Sequence, residues 1–159
     1  VHPAVGDLAG DHPLGRLLAM ALAAVIDELH ERLAGAGWPR VRPMWGFVLL
    51  ALRDRPRNIG EVGELLGVTK QAAAKVVASL VDEGLAERRE DPGDRRAAVL
   101  GLTPDGRRFL ADAEAAYQAI EDGWAQVAGR RDVAALRRAV SVVLGSRYGP
   151  QEPPLRPVL

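Results

Sequence analysis

The sequence has no cysteine among its 159 residues. This absence excludes a disulfide framework, a thiolate nucleophile and a thiol redox switch. Aromatic residues contribute only 4% of a chain that is 48% hydrophobic, so small aliphatic side chains must form the core. No apolar run reaches the roughly 20 residues of a membrane span, and the first residues lack the order of a secretory signal. We therefore expect one compact, α-rich, cytoplasmic domain with no membrane partner.

Neither sign of charge is in excess, because 21 Lys and Arg residues balance 21 Asp and Glu residues. Nucleic-acid-binding proteins usually carry a basic excess, so the balance by itself argues against that class. The distribution of charge matters more than its sum, however. A neutral chain can bind DNA if its cations lie on protruding elements and its acids lie elsewhere.

The sequence offers little catalytic or metal-binding chemistry. It has no Gly-rich phosphate loop and no histidine near a nucleophile, and its three serines fall in helical patterns. The three histidines, His2, His12 and His30, all lie early and show no tight spacing with acids. We expect no enzyme activity, no cofactor and no metal site within one chain, while a site shared across a dimer stays open.

A helical pattern fills the chain between a loose arm at residues 1–11 and a Pro-rich tail at residues 149–159. Apolar residues at the spacing i, i+3, i+4, i+7 predict a long first helix that Asp11 or His12 caps and Gly35–Gly37 ends. Pro43 opens a short second helix that is apolar nearly all round and therefore buried. The first helix presents Leu14, Leu17, Leu18, Ala21, Leu22, Val25, Ile26, Leu29 and Leu33.

Two short helices joined by a tight turn follow. Gly67 ends the first helix, Thr69 caps the second, and Gly84 lies where a left-handed C-terminal glycine is expected. This is the sequence form of a helix-turn-helix. In the second helix the inward positions are Ala73, Val76, Val77 and Leu80, and the outward positions are Lys70, Gln71, Ala74, Lys75 and Ala78.

The stretch EDPGDRRAAVLGLTPDG, at residues 90–106, predicts a hairpin followed at once by a helix. Pro92-Gly93-Asp94 has turn chemistry, and residues 97–102 can pair as a strand. Thr103 is the expected N-cap of the next helix, with Pro104 at its first position. A helix-turn-helix followed by a hairpin is a winged helix, so the predicted fold is mainly α with a small β-hairpin wing.

Two more helices complete the chain. The first carries an a/d heptad seam that we expect to serve both the core and a dimer interface. Asp132 is the expected cap of the second. The seam consists of Leu110, Ala113, Tyr117, Ile120, Trp124 and Val127, and the inward positions of the last helix are Val133, Leu136, Val140, Val143 and Leu144.

This organisation resembles the MarR family of bacterial transcription regulators. The resemblance is densest from Ile59 to Gly106, where a helix-turn-helix is followed by Asp94-Arg95-Arg96 and then by Leu102-Thr103-Pro104-Asp105-Gly106. It implies a homodimer, formed through the Leu14–Leu33 and Leu110–Leu144 helices, that binds double-stranded DNA. The implied regions are an arm (1–11), N-terminal dimerisation and support helices (12–55), a winged helix-turn-helix (56–103), C-terminal dimerisation helices (104–148) and a tail (149–159).

The resemblance assigns DNA contacts to the second helix of the motif and to the wing. Gln71 can read adenine, and lysine can meet guanine or a phosphate. Ala74 and Ser79 depart from the family, which often has Thr and Arg there, so specificity can lean on DNA shape. The candidate contacts are Arg57, Asn58, Thr69, Lys70, Gln71, Lys75, Ser79, Arg88, Arg95 and Arg96. The competing interpretation is an ordinary solvated surface.

In the wing, the family pattern pairs the acid with the second arginine. Asp94 would therefore orient Arg96, while Arg95 or Arg96 enters a minor groove, where the negative potential favours arginine. The residues alone leave open which arginine enters. The competing interpretation is a surface ion pair worth under ~1 kcal/mol.

The resemblance also implies a small-molecule effector that weakens DNA binding. His30, Trp38, Arg42 and Trp45 cluster at the junction of the first two helices, and aromatic walls with one cation suit an aromatic acid or phenol. The competing interpretation places Trp45 in the core and Arg42 on the surface. For the whole chain we expect a sequence-specific regulator, a repressor, acting on a near-palindromic operator. The alternative is a winged helix that binds a protein rather than DNA.

Overall fold

The structure is a computed structural model that describes residues 10, 12–91, 93 and 98–149. The expected arm and tail, and the wing residues Asp94, Arg95 and Arg96, lie largely or wholly outside the described residues. The elements are α1 (Leu14–Gly35), α2 (Pro43–Ala51), α3 (Ile59–Leu66), α4 (Lys70–Asp82), β1 (Ala86–Glu90), β2 (Ala98–Leu102), α5 (Pro104–Ala128) and α6 (Arg130–Tyr148).

The predicted fold class is confirmed: helices dominate, and the only sheet of the described residues is a hairpin. Strands β1 and β2 pair antiparallel, with Ala86 opposite Leu102 and Glu90 opposite Ala98. Arg57, in the loop before α3, adds a short third edge. Its backbone N–H donates to the Leu100 carbonyl at 3.0 Å, and the Leu100 N–H donates back at 2.8 Å. The chain that enters the helix-turn-helix is thereby joined to the wing.

Several helix ends are those that the sequence predicts. The Thr69 hydroxyl accepts from the Ala72 N–H at 3.2 Å, and the Thr103 hydroxyl accepts from the Gly106 N–H at 3.0 Å. Gly67 and Gly84 have φ of +64° and +73°, a region that glycine adopts without strain. The turn of the helix-turn-helix and the turn into the wing are both made by these glycines.

Asp132 is not the cap of α6, and His12 is not the cap of α1. Helix α1 begins after Pro13, and no side chain of the described residues caps it. His12 is therefore not the cap, and Asp11 lies outside the described residues. Helix α6 begins after Gly129, whose φ of +91° sets the turn, so Asp132 lies inside the first turn. An acid there still favours the helix dipole, which explains why the sequence looks like a helix start.

The hydrophobic core lies where α2, α3 and α4 meet the second half of α1 and the first half of α5. As predicted from its apolar sequence, α2 is central, and Val48 and Leu49 are completely buried. Leu33 closes the core from α1, and Phe109 closes it from α5. The largest side chains under 2% exposed are Phe109, Leu33, Leu49, Leu66, Leu80, Leu85, Leu100, Val48, Val62 and Val77.

The first half of α1 and most of α6 present apolar side chains to solvent in the single chain. Of the five α6 positions predicted to face inward, only Val133 is buried in the single chain. The prediction is therefore wrong, within one chain, for the other four: Leu136, Val140, Val143 and Leu144. In α1 only Leu29 and Leu33 are buried. The exposed large apolar residues on these two helices are Leu14, Leu18, Met20, Leu22, Leu136, Val140, Val142, Val143, Leu144 and Tyr148.

Helix α5 is locked to the end of the helix-turn-helix at its first turn. The Thr103 hydroxyl donates to the Gly84 carbonyl at 2.6 Å, and the Thr103 N–H donates to the Leu85 carbonyl at 3.2 Å. Gly106 is packed against the same Leu85 carbonyl, so a Cβ at this position would collide with backbone. The glycine of the LTPDG motif is therefore required for close packing, although its φ is not positive.

We predict that Gly106→Ala lowers the free energy of unfolding by about 2 kcal/mol or more, because the added methyl meets backbone that cannot rotate away. Urea unfolding followed by circular dichroism measures this loss. Gly123→Ala is the matched control on the same helix: its Cβ meets nothing within 4 Å, so it should stabilise by roughly 0.5–1 kcal/mol. Equal unfolding midpoints for Gly106→Ala and wild type would contradict the packing described here.

A capping box starts α3. The Asn58 side chain accepts from the Glu61 N–H at 3.0 Å, and the Glu61 carboxylate accepts from the Asn58 N–H at 2.8 Å. Arg55 donates to the same carboxylate at 2.6 Å. This hydrogen bond to Arg55, followed by the one from the Asn58 backbone, lowers the pKa of Glu61 below its usual value. The ionised carboxylate is therefore the form that the folded protein prefers.

We predict that the stability advantage of wild type over Glu61→Gln depends on pH. Glutamine keeps the capping-box geometry without the charge. Because the pKa of Glu61 is lowered on folding, the charge stabilises the protein above the unfolded-state pKa, and this advantage is lost as pH falls through the folded-state pKa. Urea midpoints at about pH 7 and about pH 3 bracket that change. Glu64→Gln, on the same helix, is the control. A difference in urea midpoint between wild type and Glu61→Gln that stays constant with pH would refute the prediction.

Candidate nucleic-acid interface

The outward face of α4 carries the only two lysines of the chain, Lys70 and Lys75. Both are exposed, as are Gln71 and Ala78. No acid occurs between residues 65 and 81, and the nearest ones, Glu64 and Asp82, lie on either side of that stretch. A neutral chain thus has a locally basic helix face. Neither lysine forms an ion pair with a described residue, so both ammonium groups are free to meet a phosphate or a base.

Thr69 can serve as the cap of α4 and as a contact at the same time. Its oxygen accepts the Ala72 N–H, which leaves the hydroxyl proton available to an external acceptor. The first turn of α4 also directs its unsatisfied N–H groups and the positive end of its dipole outward. The N-terminus of α4 is therefore suited to a phosphate on geometric and electrostatic grounds.

The Ser79 prediction needs correction. The Ser79 hydroxyl donates to the Val76 carbonyl at 2.7 Å and accepts from the Trp45 indole N–H at 2.9 Å. A phosphate oxygen can only accept a hydrogen bond, and the single proton of Ser79 is already committed. Ser79 therefore serves the interior of the protein rather than a DNA contact.

Arg57 and Asn58 are held in place and keep only part of their donor capacity. The Arg57 Nε donates to the Ala51 carbonyl at 2.6 Å, which ties the side chain to the end of α2. The Asn58 oxygen is used by the capping box. The terminal guanidinium nitrogens of Arg57 and the Asn58 amide nitrogen make no hydrogen bond within the described residues. Their positions before α3 remain compatible with phosphate contact.

On the wing, the two neighbouring arginines of β1 make different contacts. Arg88 is exposed and makes no hydrogen bond to a described residue. Arg89 folds over Gly101, where it pairs with Glu87 at 2.5 Å and donates to the Leu102 carbonyl at 3.3 Å. The hairpin therefore presents Arg88 as a free cation, and Arg89 serves as an internal brace. The tip residues Asp94, Arg95 and Arg96 lie outside the described residues and stay predictions.

A cavity of about 440 Å³ lies between α1, α2 and α5. Two of the four predicted ligand residues, His30 and Arg42, line this cavity. Arg53, two residues beyond the end of α2, adds a second cation, whose Nε pairs with Asp54 at 3.2 Å. Glu114 is the acid among the residues that line the cavity. The apolar walls come from Leu29, Leu33, Val41, Phe47, Leu50, Phe109, Leu110, Ala113 and Tyr117. An apolar slot with two guanidinium groups at its edge suits an amphipathic anion.

The two tryptophans predicted for this cavity do not line it. Trp45 is 3% exposed and points to α4. Trp38 donates from its indole N–H to Asp112 at 2.8 Å, meets the Phe109 ring edge to face at 5.4 Å, and lies under Arg108 at 4.7 Å. Both indoles have structural partners, so the competing interpretation of Trp45 as core is correct. Phe47, Phe109 and Tyr117 are the aromatic residues of the cavity instead.

Tyr117 lies at the boundary between this cavity and a second cavity of about 360 Å³ under α6. Burial, followed by the charge of Glu114, raises the pKa of Tyr117 above its usual value. The phenol therefore stays protonated over the physiological range and acts as a neutral hydrogen-bond donor at the rim.

Three functional features were not predicted from the sequence. The restriction of lysine to α4 could have been counted directly. The Asn58-x-x-Glu61 capping box has a recognised sequence signature that also could have been found. The Trp45–Ser79 hydrogen bond joins residues that lie 34 positions apart, and no local pattern predicts it. Among the described residues, no cluster of three metal-binding side chains occurs, and none of the helices combines the length and apolar character that a bilayer span requires.

Comparison with known sequences identifies the motif. A sequence model described as the MarR family matches residues 41–97. An uncharacterised protein of Mycobacterium tuberculosis is 40% identical over 63 residues, which are 40% of this chain and 44% of that protein. The chain therefore aligns with less than half of the length of this relative.

Solved structures match nearly the whole chain. The transcriptional repressor CouR bound to a 23-mer DNA duplex is 28% identical, with a TM-score of 0.67 over 90% of this chain and 99% of CouR. CouR from Rhodococcus jostii RHA1 bound to p-coumaroyl-CoA gives a TM-score of 0.67 at 22% identity, over 90% of this chain and 97% of that one. Apo MarR from E. coli gives 0.68 at 24% identity, over 84% and 98%. The resemblance to the MarR family inferred from the sequence is confirmed, and the chain has the winged helix-turn-helix fold of MarR-family transcriptional regulators.

Proposed function

We propose that this protein is a sequence-specific DNA-binding transcription regulator, a repressor, that acts in the cytoplasm as a homodimer. The observation that carries the proposal is the outward face of α4. Both lysines of the chain lie there beside Gln71, no acid lies between residues 65 and 81, and residues 69–72 at the capped N-terminus are exposed. In a helix-turn-helix this is the face that enters the major groove.

The remaining predicted contacts surround this face. Thr69, Arg57, Asn58 and Arg88 retain free donors that suit phosphates, which position the protein without reading sequence. Arg95 and Arg96 are proposed to extend the interface into the flanking minor groove, with Asp94 as their orienting acid. The Ser79 hydroxyl is committed to partners inside the protein, and the alanines on this face have no side-chain hydrogen-bonding group. The candidates for reading bases are therefore Gln71, Lys70 and Lys75. DNA shape is therefore expected to supply much of the specificity.

We predict that the double variant Arg95→Ala/Arg96→Ala binds the DNA upstream of its own gene at least about tenfold more weakly than wild type. Removing one phosphate contact makes the slope of log affinity against log salt shallower by about 0.9. Fluorescence anisotropy across a salt series gives both quantities. The variant Arg130→Ala/Arg131→Ala, which removes an equal charge at the α5–α6 turn, is the control. If the double variant binds as tightly as wild type, or if wild type does not bind at low salt, the alternative function is favoured, in which the winged helix binds a protein rather than DNA.

The homodimer is supported by the apolar faces of α1 and α6. Val143 is 67% exposed and Leu14 is 67% exposed in the single chain, and large exposed apolar surfaces mark interaction sites. The two faces occur on the first and last helices, as the predicted Leu14–Leu33 and Leu110–Leu144 interface requires. A second copy would bury both and bring two α4 helices onto one palindrome, about 34 Å apart for successive turns of DNA.

We predict that Val143→Asp converts the dimer to monomer or sharply raises its dissociation constant, because an unpaired carboxylate would be buried at the interface. Sedimentation velocity over a concentration series measures the change. Ala134→Asp is the matched control, since nine residues at 3.6 per turn place it on the opposite face of α6. A dimer that withstands Val143→Asp, or is equally sensitive to Ala134→Asp, would show that this face is not the interface.

A small-molecule effector is the finer part of the proposal. The cavity of about 440 Å³ suits the ring of an aromatic acid, with Arg42 and Arg53 for its anionic end and His30 on the wall. CouR, whose fold this chain shares, is described both with DNA and with p-coumaroyl-CoA. A ligand in this cavity would weaken DNA binding if it prefers a spacing of the two α4 helices that does not fit the operator.

A further inference from the structure

Helix α2 lies between the cavity and the helix proposed to read DNA, and its two sides face different partners. Arg42, Gly46, Phe47 and Leu50 line the cavity. Trp45 points the other way and is almost completely buried against α4. Any displacement of α2 by a molecule in the cavity therefore moves Trp45 as well.

The Trp45 indole N–H donates to the Ser79 hydroxyl at 2.9 Å. In the described part of the chain this is the only side-chain hydrogen bond between α2 and α4. Ser79 lies one turn before the end of α4, and its own proton is fixed on the Val76 carbonyl. The hydroxyl oxygen therefore has a set direction and can receive the indole only when α4 is in register with α2.

Burial of the Trp45 indole, which is 3% exposed, makes this contact costly to break. A buried donor that loses its partner is penalised far more than the bond itself contributes, because water cannot replace the lost acceptor. A small sliding of α4 along α2 is thus resisted, and a larger one needs a new arrangement of the indole. The nearby Arg40–Glu83 ion pair, at 3.3 Å, is 77% exposed on the arginine side and resists such motion only weakly.

We propose that Trp45 and Ser79 are positioning residues: their hydrogen bond sets α4 in the DNA-binding position and carries the effect of an occupied cavity from α2 to α4. This inference rests on the proposed function. Neither residue touches DNA. The end of α2 has a second tie, from the Ala51 carbonyl to Arg57 and through Arg57 to Leu100 of the wing. The reading helix and the wing are therefore both attached to the wall of the cavity.

The first measurement uses the indole N–H signals of the free protein, of which the chain has three, one for each tryptophan. Trp45→Phe assigns the Trp45 signal. Ser79→Ala should shift that signal and speed its hydrogen exchange, while Ser79→Thr, which keeps the hydroxyl, should restore most of the protection. Ser146→Ala, an exposed serine on α6, should leave it unchanged. A Trp45 signal unmoved in Ser79→Ala overturns the proposal before any DNA is added.

The second measurement is operator affinity for the same variants, each first shown to have wild-type circular dichroism and dimer mass. Ser79→Ala and Trp45→Phe should each weaken binding by about tenfold. The double variant Trp45→Phe/Ser79→Ala should bind the operator no more weakly than either single variant, because each of the three variants lacks the same Trp45–Ser79 hydrogen bond. The salt slope should equal that of wild type. A lower slope in Ser79→Ala alone would mean that Ser79 contacts a phosphate, and additive losses would mean that the two residues act separately.

The third measurement replaces an unidentified ligand with a side chain. Gly46 lines the cavity and has open space around its Cβ, so Gly46→Leu fills part of the cavity from α2 itself. We expect it to weaken operator binding by about tenfold in wild type and by less than about threefold in the Ser79→Ala background. Gly46→Ala is the small-side-chain control and should bind as wild type does.

The outcomes separate this inference from the proposed function. If wild type binds no operator, the proposed function fails and the positioning role falls with it. If wild type binds the operator, Gly46→Leu can still weaken binding equally in wild type and in Ser79→Ala, or in neither. Either result overturns transmission through Trp45–Ser79 and leaves the DNA-binding function standing.

Discussion

The carbonyl oxygen of Leu85 lies against the first turn of α5, with no room for a side chain between them. Gly106 permits this approach, and Thr103 fixes it from both sides through the Gly84 carbonyl and the Gly106 N–H. The end of the helix-turn-helix is thereby joined to the start of the longest helix. The half proposed to read DNA and the half proposed to form the dimer meet at this junction, so the orientation of α5 determines that of α4 and the wing.

Helix α2 adds a second and different attachment. It is buried on nearly all sides, yet it lines the cavity of about 440 Å³ and hydrogen-bonds to both α4 and Arg57. The Gly106 junction is a backbone contact that cannot adjust. The Trp45–Ser79 bond is a side-chain contact that can be broken and remade. A ligand-controlled regulator needs both kinds of contact. One keeps the helices in a fixed arrangement, and the other allows one helix to shift relative to its neighbour.

The elements and turns of the fold were predictable because local chemistry specifies them. Thr69, Thr103, Gly67 and Gly84 act on atoms within a few residues, and each occurs where the sequence predicts. One failure involves distance: the face of α6 predicted to be inward stays exposed in the single chain except at Val133. The other failure is local. Asp132 is a good cap in isolation, but Gly129 starts α6 earlier.

The candidate site shows the same division. Lys70, Gln71 and Lys75 are exposed because helical periodicity dictates their face. Trp38 and Trp45 were assigned to the cavity by proximity along the chain, whereas Asp112 and Ser79, 74 and 34 positions away, determine where the indoles point. Helical periodicity alone could not separate Ser79 from the residues proposed to face DNA, since its half-exposed position lies at the edge of that face.

The distribution of cations also bears on how such a protein would find its target in a genome. Seven arginines, Arg32, Arg40, Arg53, Arg55, Arg89, Arg108 and Arg137, are paired with acids, so the long-range field of the chain is weak. Non-specific DNA attracts proteins almost wholly through that field. A neutral regulator whose free cations include Lys70, Lys75 and Arg88 would therefore spend little time on random sequence. Its occupancy of the operator would suffer less competition from the rest of the chromosome, at the cost of a slower, less steered search.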